Sequence, residues 1–168
     1  LSPKIHNIFS KQTKINIDYQ AYHVQENNLD SFIRDFFRNE GDGLNVTLPH
    51  KINCLRSVNN KSSLVNLIGA ANTLHSNGPG EIFGESTDGL GLVEDLKDKC
   101  VISSANILIL GAGGSALSII PSLDACKPRN IILDNRSKDN LEKLIERFSS
   151  SKEINSRILN LESFNEEI

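Results

Sequence analysis

The 168-residue chain has no methionine and no tryptophan, only two tyrosines, and three cysteines. Each scarcity excludes something. Cys54, Cys100 and Cys126 are odd in number, widely spaced and without CxxC pairing, which argues against a disulfide framework and against a structural zinc site. His6, His23, His50 and His75 share no HxxxH-type spacing, so no metal is expected. No run approaches the ~18 apolar residues of a membrane-spanning helix, and no signal peptide is expected. Eighteen basic residues stand against 21 acidic ones, with both signs interspersed, which argues against nucleic acid and membrane surfaces as partners. The composition left is that of an ordinary globular protein, expected in a reducing, cytoplasmic setting. With Leu1 leading straight into Ser2-Pro3, the start codon is expected upstream and the chain is expected to be a fragment.

Hydrophobic spacing shows two rhythms. In the first half, Ser2-Pro3 reads as a helix opening, because a serine side chain accepts from orphan amides and proline at the first helical position needs no amide partner. Ile5, Ile8 and Phe9 give that helix an apolar stripe. Residues 17–24, rich in β-branched and aromatic side chains, predict a strand. Leu29, Phe32, Ile33, Phe36 and Phe37 fall on one helical face, and the three phenylalanines are expected in the core. Residues 43–48 predict a strand running into Pro49, residues 51–57 a brief helix, and residues 71–75 and 81–85 a hairpin turned by Asn77-Gly78-Pro79-Gly80.

From Asp88 onward the pattern is more regular. Residues 88–99, 115–123 and 140–148 predict helices; residues 105–110, 130–133 and 157–161 predict strands, the first a buried parallel one. Strand, helix, strand, helix, strand is half of a doubly wound parallel sheet. The fold class is therefore α/β, with a boundary near Thr87. The pattern stops partway, which leaves an apolar edge and face open.

Gly111-Ala112-Gly113-Gly114-Ser115-Ala116 follows the first of these strands and opens a helix. It fits GxGxxG/A: the first glycine makes the turn, the second lets backbone approach a pyrophosphate, and the small last residue lets helix pack on strand. A ligand-free strand-to-helix turn is the competing reading, and the βαβ context favours a dinucleotide. The next strand should end near the adenine ribose, at Asp134-Asn135-Arg136-Ser137-Lys138. An acidic residue there suits the ribose hydroxyls of NAD, whereas arginine with hydroxyl neighbours suits the 2′-phosphate of NADP. The reading leans to NADP.

Asn45-Val46-Thr47-Leu48-Pro49-His50-Lys51 places polar side chains at a strand end and then a lysine behind a proline turn; Thr87-Asp88-Gly89 places a carboxylate at a helix start. Spacing alone favours a surface lysine and a capping aspartate. Read together with Leu1-Ser2-Pro3-Lys4-Ile5-His6, Gly69-Ala70-Ala71-Asn72-Thr73-Leu74, Ser86-Thr87-Asp88-Gly89-Leu90-Gly91, the glycine turn and Asn135-Arg136-Ser137, in this order over nearly the whole chain, the segments resemble the shikimate dehydrogenase family.

The resemblance implies a substrate-binding α/β domain (residues 1–87) followed by the first half of an NADP-binding Rossmann domain (residues 88–168), in a monomer or homodimer that interconverts shikimate and 3-dehydroshikimate. It implies Lys51 and Asp88 as the catalytic pair and Ser2, Thr47, Asn72 and Asp88 as substrate contacts. Two departures stand out: Ser86 occupies a position where the family often has asparagine, and Asn140 one where NADP-preferring members often carry a second basic residue, for which Lys138 can compensate. The family's strand and second serine before Ser2 lie outside the chain, as do its later glutamine, tyrosine and closing helix. Activity is thus expected of the full-length protein, and weak or none of these 168 residues. The competing readings are an NAD-dependent quinate/shikimate dehydrogenase, suggested by Asp134, and a dinucleotide-binding module without catalysis.

Overall fold

A computed structural model describes residues 1–78 and 80–166. The first half holds helices α1 (Ser2–Thr13), α2 (Leu29–Arg38) and α3 (Ser63–Ile68), and strands β1 (Gly43–Asn45), β2 (Asn60–Lys61), β3 (Thr73–Gly78) and β4 (Glu81–Glu85). The strands form one sheet in the order β1-β3-β4-β2, with β3 antiparallel to both β1 and β4, and β2 parallel to β4. The second half alternates α4 (Asp88–Lys97), β5 (Asn106–Leu110), α5 (Gly114–Asp124), β6 (Asn130–Asp134), α6 (Lys138–Ser149), β7 (Arg157–Asn160) and α7 (Leu161–Asn165). Its strands form a parallel sheet, β5-β6-β7.

Two cores result. Leu29 and Ile33, one turn apart on α2, bury against Cys54, Val65, Ala71, Leu74 and Ile82. In the second core, Ile131 and Leu133 of central β6 meet Ile120 of α5 and Leu144 and Phe148 of α6. Helix α3 serves both, with Val65 in the first and Ile68 in the second. Ser62 caps that helix by accepting from the Val65 amide at 3.3 Å, and Gly69, at φ +63°, ends it in the left-handed conformation. Arg147 of α6 donates through Nε and Nη2 to the Leu67 carbonyl at 3.2 and 2.8 Å, satisfying an orphan carbonyl at the same helix end.

Helices α4 and α5 cross closely at Gly89. A Cβ there would lie 2.4 Å from Ser122 Oγ and 2.7 Å from the Ser118 carbonyl oxygen, so only glycine permits the approach. The crossing brings the start of α4, with Asp88, against the helix that follows the glycine turn.

Several expectations are corrected. Residues 17–24 form no strand: their backbone meets no ladder partner among the described residues, and β propensity without a partner makes no sheet. The strand predicted over residues 43–48 ends at Asn45, and the helix over residues 51–57 is a single 3₁₀ segment, Asn53–Ser57. Leu1, not Ser2, stands at the N-cap of α1, without a side-chain cap bond, and Ile5, Ile8 and Phe9 on α1 are exposed. Phe32 and Phe36 are half-buried and line a cleft instead of a core. Strand β5 is not buried on both faces: Ile107 and Ile109 face the second core, while Leu108 and Leu110, on the other face of this edge strand, are 49% and 75% exposed. Strand β2 and helix α3 went unread, β2 being two residues long. The turn residue Pro79 lies outside the described residues.

Candidate active site

Three chain segments converge on Lys51. The segment after β1 carries it through a Thr47-to-His50 turn closed by His50 N to Thr47 O at 2.9 Å, with a cis bond between Leu48 and Pro49. The start of β3 supplies Asn72, and the start of α4 supplies Asp88. Backbone bonds lock the three together: Val46 N to Asn72 O at 2.7 Å, Ala71 N to Lys51 O at 2.8 Å, and Asn72 N to Glu85 O at 3.0 Å.

The side chains then pair. Lys51 Nζ donates to Asp88 Oδ2 at 2.5 Å. Asn72 Nδ2 donates to Asp88 Oδ1 at 2.7 Å and to Thr87 Oγ1 at 3.0 Å. Asn72 Oδ1 accepts from Thr87 N at 2.9 Å and from Thr73 Oγ1 at 3.1 Å. Lys51 is 9% exposed, whereas the Asp88 side chain is 31% exposed, so the pair opens to solvent on the carboxylate side. The flanking hydroxyls of Thr73 and Thr87 went unread; their signal was adjacency to Asn72 and Asp88. Beneath the lysine, the Cys54 thiol is pushed up to about 11, chiefly by burial. It remains a protonated donor to the Lys51 carbonyl at 3.3 Å and is no nucleophile.

Ser2 and Thr47 are not in this cluster. They line a neighbouring cleft of about 950 Å³ together with Tyr19, Asn45 and His50. His50 Nε2 lies 2.8 Å from the Val24 carbonyl, which only accepts, so that nitrogen carries the hydrogen. The buried Nδ1 of His50 and the buried Oγ of Ser86 have no hydrogen-bond partner among the described residues.

The glycine turn has the geometry expected of it. Gly111 sits at φ +118°, and its amide donates to the Asp134 carbonyl at 2.7 Å. A Cβ on Gly111 or Gly113 would meet nothing within 4 Å, so there is open space for a bulky group against the backbone. Helix α5 begins without any side-chain cap, which leaves its first amides, near Gly114 and Ser115, unclaimed. Ala116 is buried in the second core and lets the helix seat on the sheet. At the end of β6, Asn135 Oδ1 accepts from Ala112 N at 3.3 Å, Ser137 caps α6 through Asn140 N, and Lys138 pairs with Glu162 at 3.4 Å. Arg136 is exposed and makes no ion pair with a described residue. Leu48 joins the two regions: its Cδ2 lies 3.7 Å from the Cβ position of Gly114.

Among the described residues no helix is long and apolar enough to cross a membrane, and no three His, Cys, Asp or Glu side chains are grouped to hold a metal ion.

Fold and site together define a two-sheet α/β protein whose second sheet is the opening half of a Rossmann fold, with a lysine–carboxylate pair at the start of α4, the helix that packs on the one following the glycine turn. A family profile described as the shikimate dehydrogenase substrate binding domain matches residues 1–74. A shikimate dehydrogenase (NADP(+)) of Colwellia psychrerythraea is 40% identical over 149 residues, covering 88% of this chain and 54% of the relative; one of Idiomarina loihiensis is 41% identical over 145 residues, covering 86% and 52%. Among solved structures, shikimate 5-dehydrogenase of Listeria monocytogenes in complex with shikimate and NAD matches with TM-score 0.85 at 28% identity, over 99% of this chain and 58% of that one. The Thermus thermophilus enzyme in complex with NADP(H) and shikimate matches with TM-score 0.83 at 26% identity, over 98% and 60%. Over most of its length the chain is similar to shikimate dehydrogenases, and it spans about half the length of the curated relatives it matches.

Proposed function

We propose that this chain carries the catalytic pair and the cofactor turn of an NADP-dependent oxidoreductase that reversibly reduces 3-dehydroshikimate to shikimate, with residues 1–87 as its substrate domain and residues 88–168 as the start of its NADP domain. The observation that carries the reading is the hydrogen-bonded set Lys51, Asp88 and Asn72, placed beside the glycine turn through the Leu48 contact with Gly114.

The residues present fit the cofactor. Gly111, Ala112, Gly113 and the α5 amides at Gly114 and Ser115 would hold the pyrophosphate, and Arg136, with Asn135, Ser137 and Lys138 around it, the 2′-phosphate. When bound, NADPH supplies a hydride. The work of the chain's own residues lies at the substrate oxygen. Negative charge developing on the carbonyl oxygen is met by the Lys51 ammonium, which polarises the carbonyl and hands over a proton from Nζ. Asp88 holds that ammonium through Oδ2, and Asn72 holds Asp88 through Oδ1, so the donor is oriented before substrate arrives. In the oxidative direction Nζ takes the proton back. General acid–base help of this kind is typically worth about 10² to 10⁴ in rate. Ser2 and Thr47 would bind substrate oxygens from the adjoining cleft.

Initial rates of the full-length protein with shikimate or quinate and NADP or NAD test the reading. Shikimate with NADP is expected to give the highest specificity constant. Asp134, exposed at the end of β6, favours the second reading, a quinate/shikimate dehydrogenase using NAD; a higher specificity constant for quinate with NAD would establish that one instead. Three unpaired cysteines support a reducing, cytoplasmic setting.

A further inference from the structure

We propose that Asn77 is a self-modification site, at which the Gly78 backbone nitrogen displaces the asparagine side-chain nitrogen as ammonia and water then opens the ring to aspartate or isoaspartate. Asn77 stands near the end of β3 that is far from Asn72, where the chain turns toward β4, so the site is separate from the residues assigned to catalysis. Asn77-Gly78 is the one asparagine–glycine pair in the 168 residues. Glycine puts no Cβ in the path of a main-chain nitrogen that closes on the preceding side chain.

The fold adds what the dipeptide alone does not supply. Asn77 is exposed, so hydroxide and water reach it. The pairing of β3 with β4 slips at this point: Ser76 faces Ile82 and Gly78 faces Glu81, which leaves Asn77 without a ladder partner among the described residues. An unpaired residue at such an irregularity leaves the regular pleat, and its side chain is free to swing toward the next nitrogen. That nitrogen has a hydroxyl against it. Gly78 N donates to Ser76 Oγ at 3.3 Å, and the same hydroxyl donates to the Gly78 carbonyl oxygen at 2.7 Å, so Ser76 is placed to pass the amide proton on to solvent.

The reaction balances with water as its only co-reactant. Gly78 N gives its proton to hydroxide and bonds to Asn77 Cγ; the Cγ–Nδ2 bond breaks, and ammonia leaves a cyclic imide. Water then adds to either ring carbonyl. Cleavage of the bond to Cγ gives aspartate, and cleavage of the bond to the main-chain carbonyl gives isoaspartate. Asn155 is also followed by a small residue, but there Ser156 N donates to Asp124 at 2.6 Å and Asn155 N donates to it at 3.1 Å, so the nitrogen that would attack is held. Conversion at residue 77 sets a carboxylate in a turn that already carries Glu81, and the isoaspartyl form lengthens the main chain just before the Gly78–Glu81 pair.

Peptide mapping by mass spectrometry of the full-length protein, sampled during incubation in mildly alkaline buffer, tests the proposal. A synthetic peptide spanning Ser76–Gly80 is incubated in parallel to time the reaction. Residue 77 is expected to convert ahead of every other asparagine, to a mixture of isoaspartate and aspartate. Gly78→Ala is the decisive variant: a Cβ at Gly78 meets nothing within 4 Å, so the fold accommodates it, while the methyl group crowds the attacking nitrogen. Conversion in that variant should slow at least about ten-fold, the cost of a misaligned intramolecular attack. Asn77→Gln, which would have to close a larger ring, should stay unconverted over the same period. Thermal denaturation run alongside shows that each variant is folded. Conversion of folded Gly78→Ala as fast as the wild type, loss spread evenly over several asparagines, or a residue 77 still intact when the matched peptide has fully converted, overturns the proposal.

Discussion

Asn72 donates to Asp88 Oδ1 at 2.7 Å while Lys51 donates to Asp88 Oδ2 at 2.5 Å, so one carboxylate is gripped at both oxygens by residues from two other segments. Asn72 also accepts from the Thr87 amide, which makes it the member that fixes the start of α4. Asn72→Ala should therefore misplace Asp88 and loosen Lys51. In the full-length protein, kcat/KM for shikimate is expected to fall about ten- to hundred-fold. Asn72→Asp should do no better, because it sets a second carboxylate beside Asp88. Steady-state kinetics check both.

Cofactor choice is expected to turn on Arg136. Replacing it with alanine removes the one basic side chain at the end of β6 without an ion pair to a described residue, since Lys138 already faces Glu162. The Kd for NADP should rise by about ten-fold, the weight of a charge-assisted contact, with little change for NAD. Fluorescence titration with the two nucleotides at fixed ionic strength reads the difference. Equal losses for both would show that Arg136 does not meet the 2′-phosphate.

The α4–α5 crossing should tolerate no side chain at Gly89. Gly89→Ala sets a methyl group 2.4 Å from Ser122 Oγ and 2.7 Å from the Ser118 carbonyl, an overpacking expected to destabilise by about 1 to 3 kcal/mol. Adding Ser122→Gly should restore only part of this, because the Ser118 carbonyl is backbone and stays. Urea denaturation of the single and double variants measures it.

Acid should loosen the joint between α5 and β7. Asp124 is 3% exposed and accepts from Asn155 N at 3.1 Å on both oxygens and from Ser156 N at 2.6 Å. Burial alone would raise its pKa, but the hydrogen bonds from Ser156 and Asn155 outweigh burial and hold the carboxyl below its ordinary value of 3.8. A folded value below the unfolded one stabilises the fold fully above the unfolded value, and that contribution is lost as pH falls through the folded one. As pH falls below about 4, the wild type should thus lose unfolding free energy more steeply than Asp124→Asn. Denaturant melts across that range would show parallel slopes if the joint contributed nothing.

Much of this could be read before the structure, for reasons that differ by region. The second half was legible because parallel βαβ units impose regular lengths and because Gly111 and Gly113 do work that other residues do badly. Residues 17–24 misled because β-branched and aromatic side chains report fitness for a sheet, and whether a partner strand exists is not local information. The site was legible through motif order more than through chemistry. Lys51 and Asp88 stand 37 positions apart, and nothing in their spacing shows that the β3 start lies between them. The Tyr19 bond to Asn45 and the Arg147 reach to Leu67 were invisible for the same reason, being tertiary contacts across 26 and 80 positions.

The measurement that bears most directly on the whole account is the nicotinamide absorbance rate of the full-length protein with saturating shikimate and NADP, wild type against Lys51→Ala, with shikimate affinity determined alongside. Turnover is expected to fall at least about 10²-fold while affinity stays within a few fold. Undiminished turnover in Lys51→Ala would contradict the assignment of the proton transfer to this lysine.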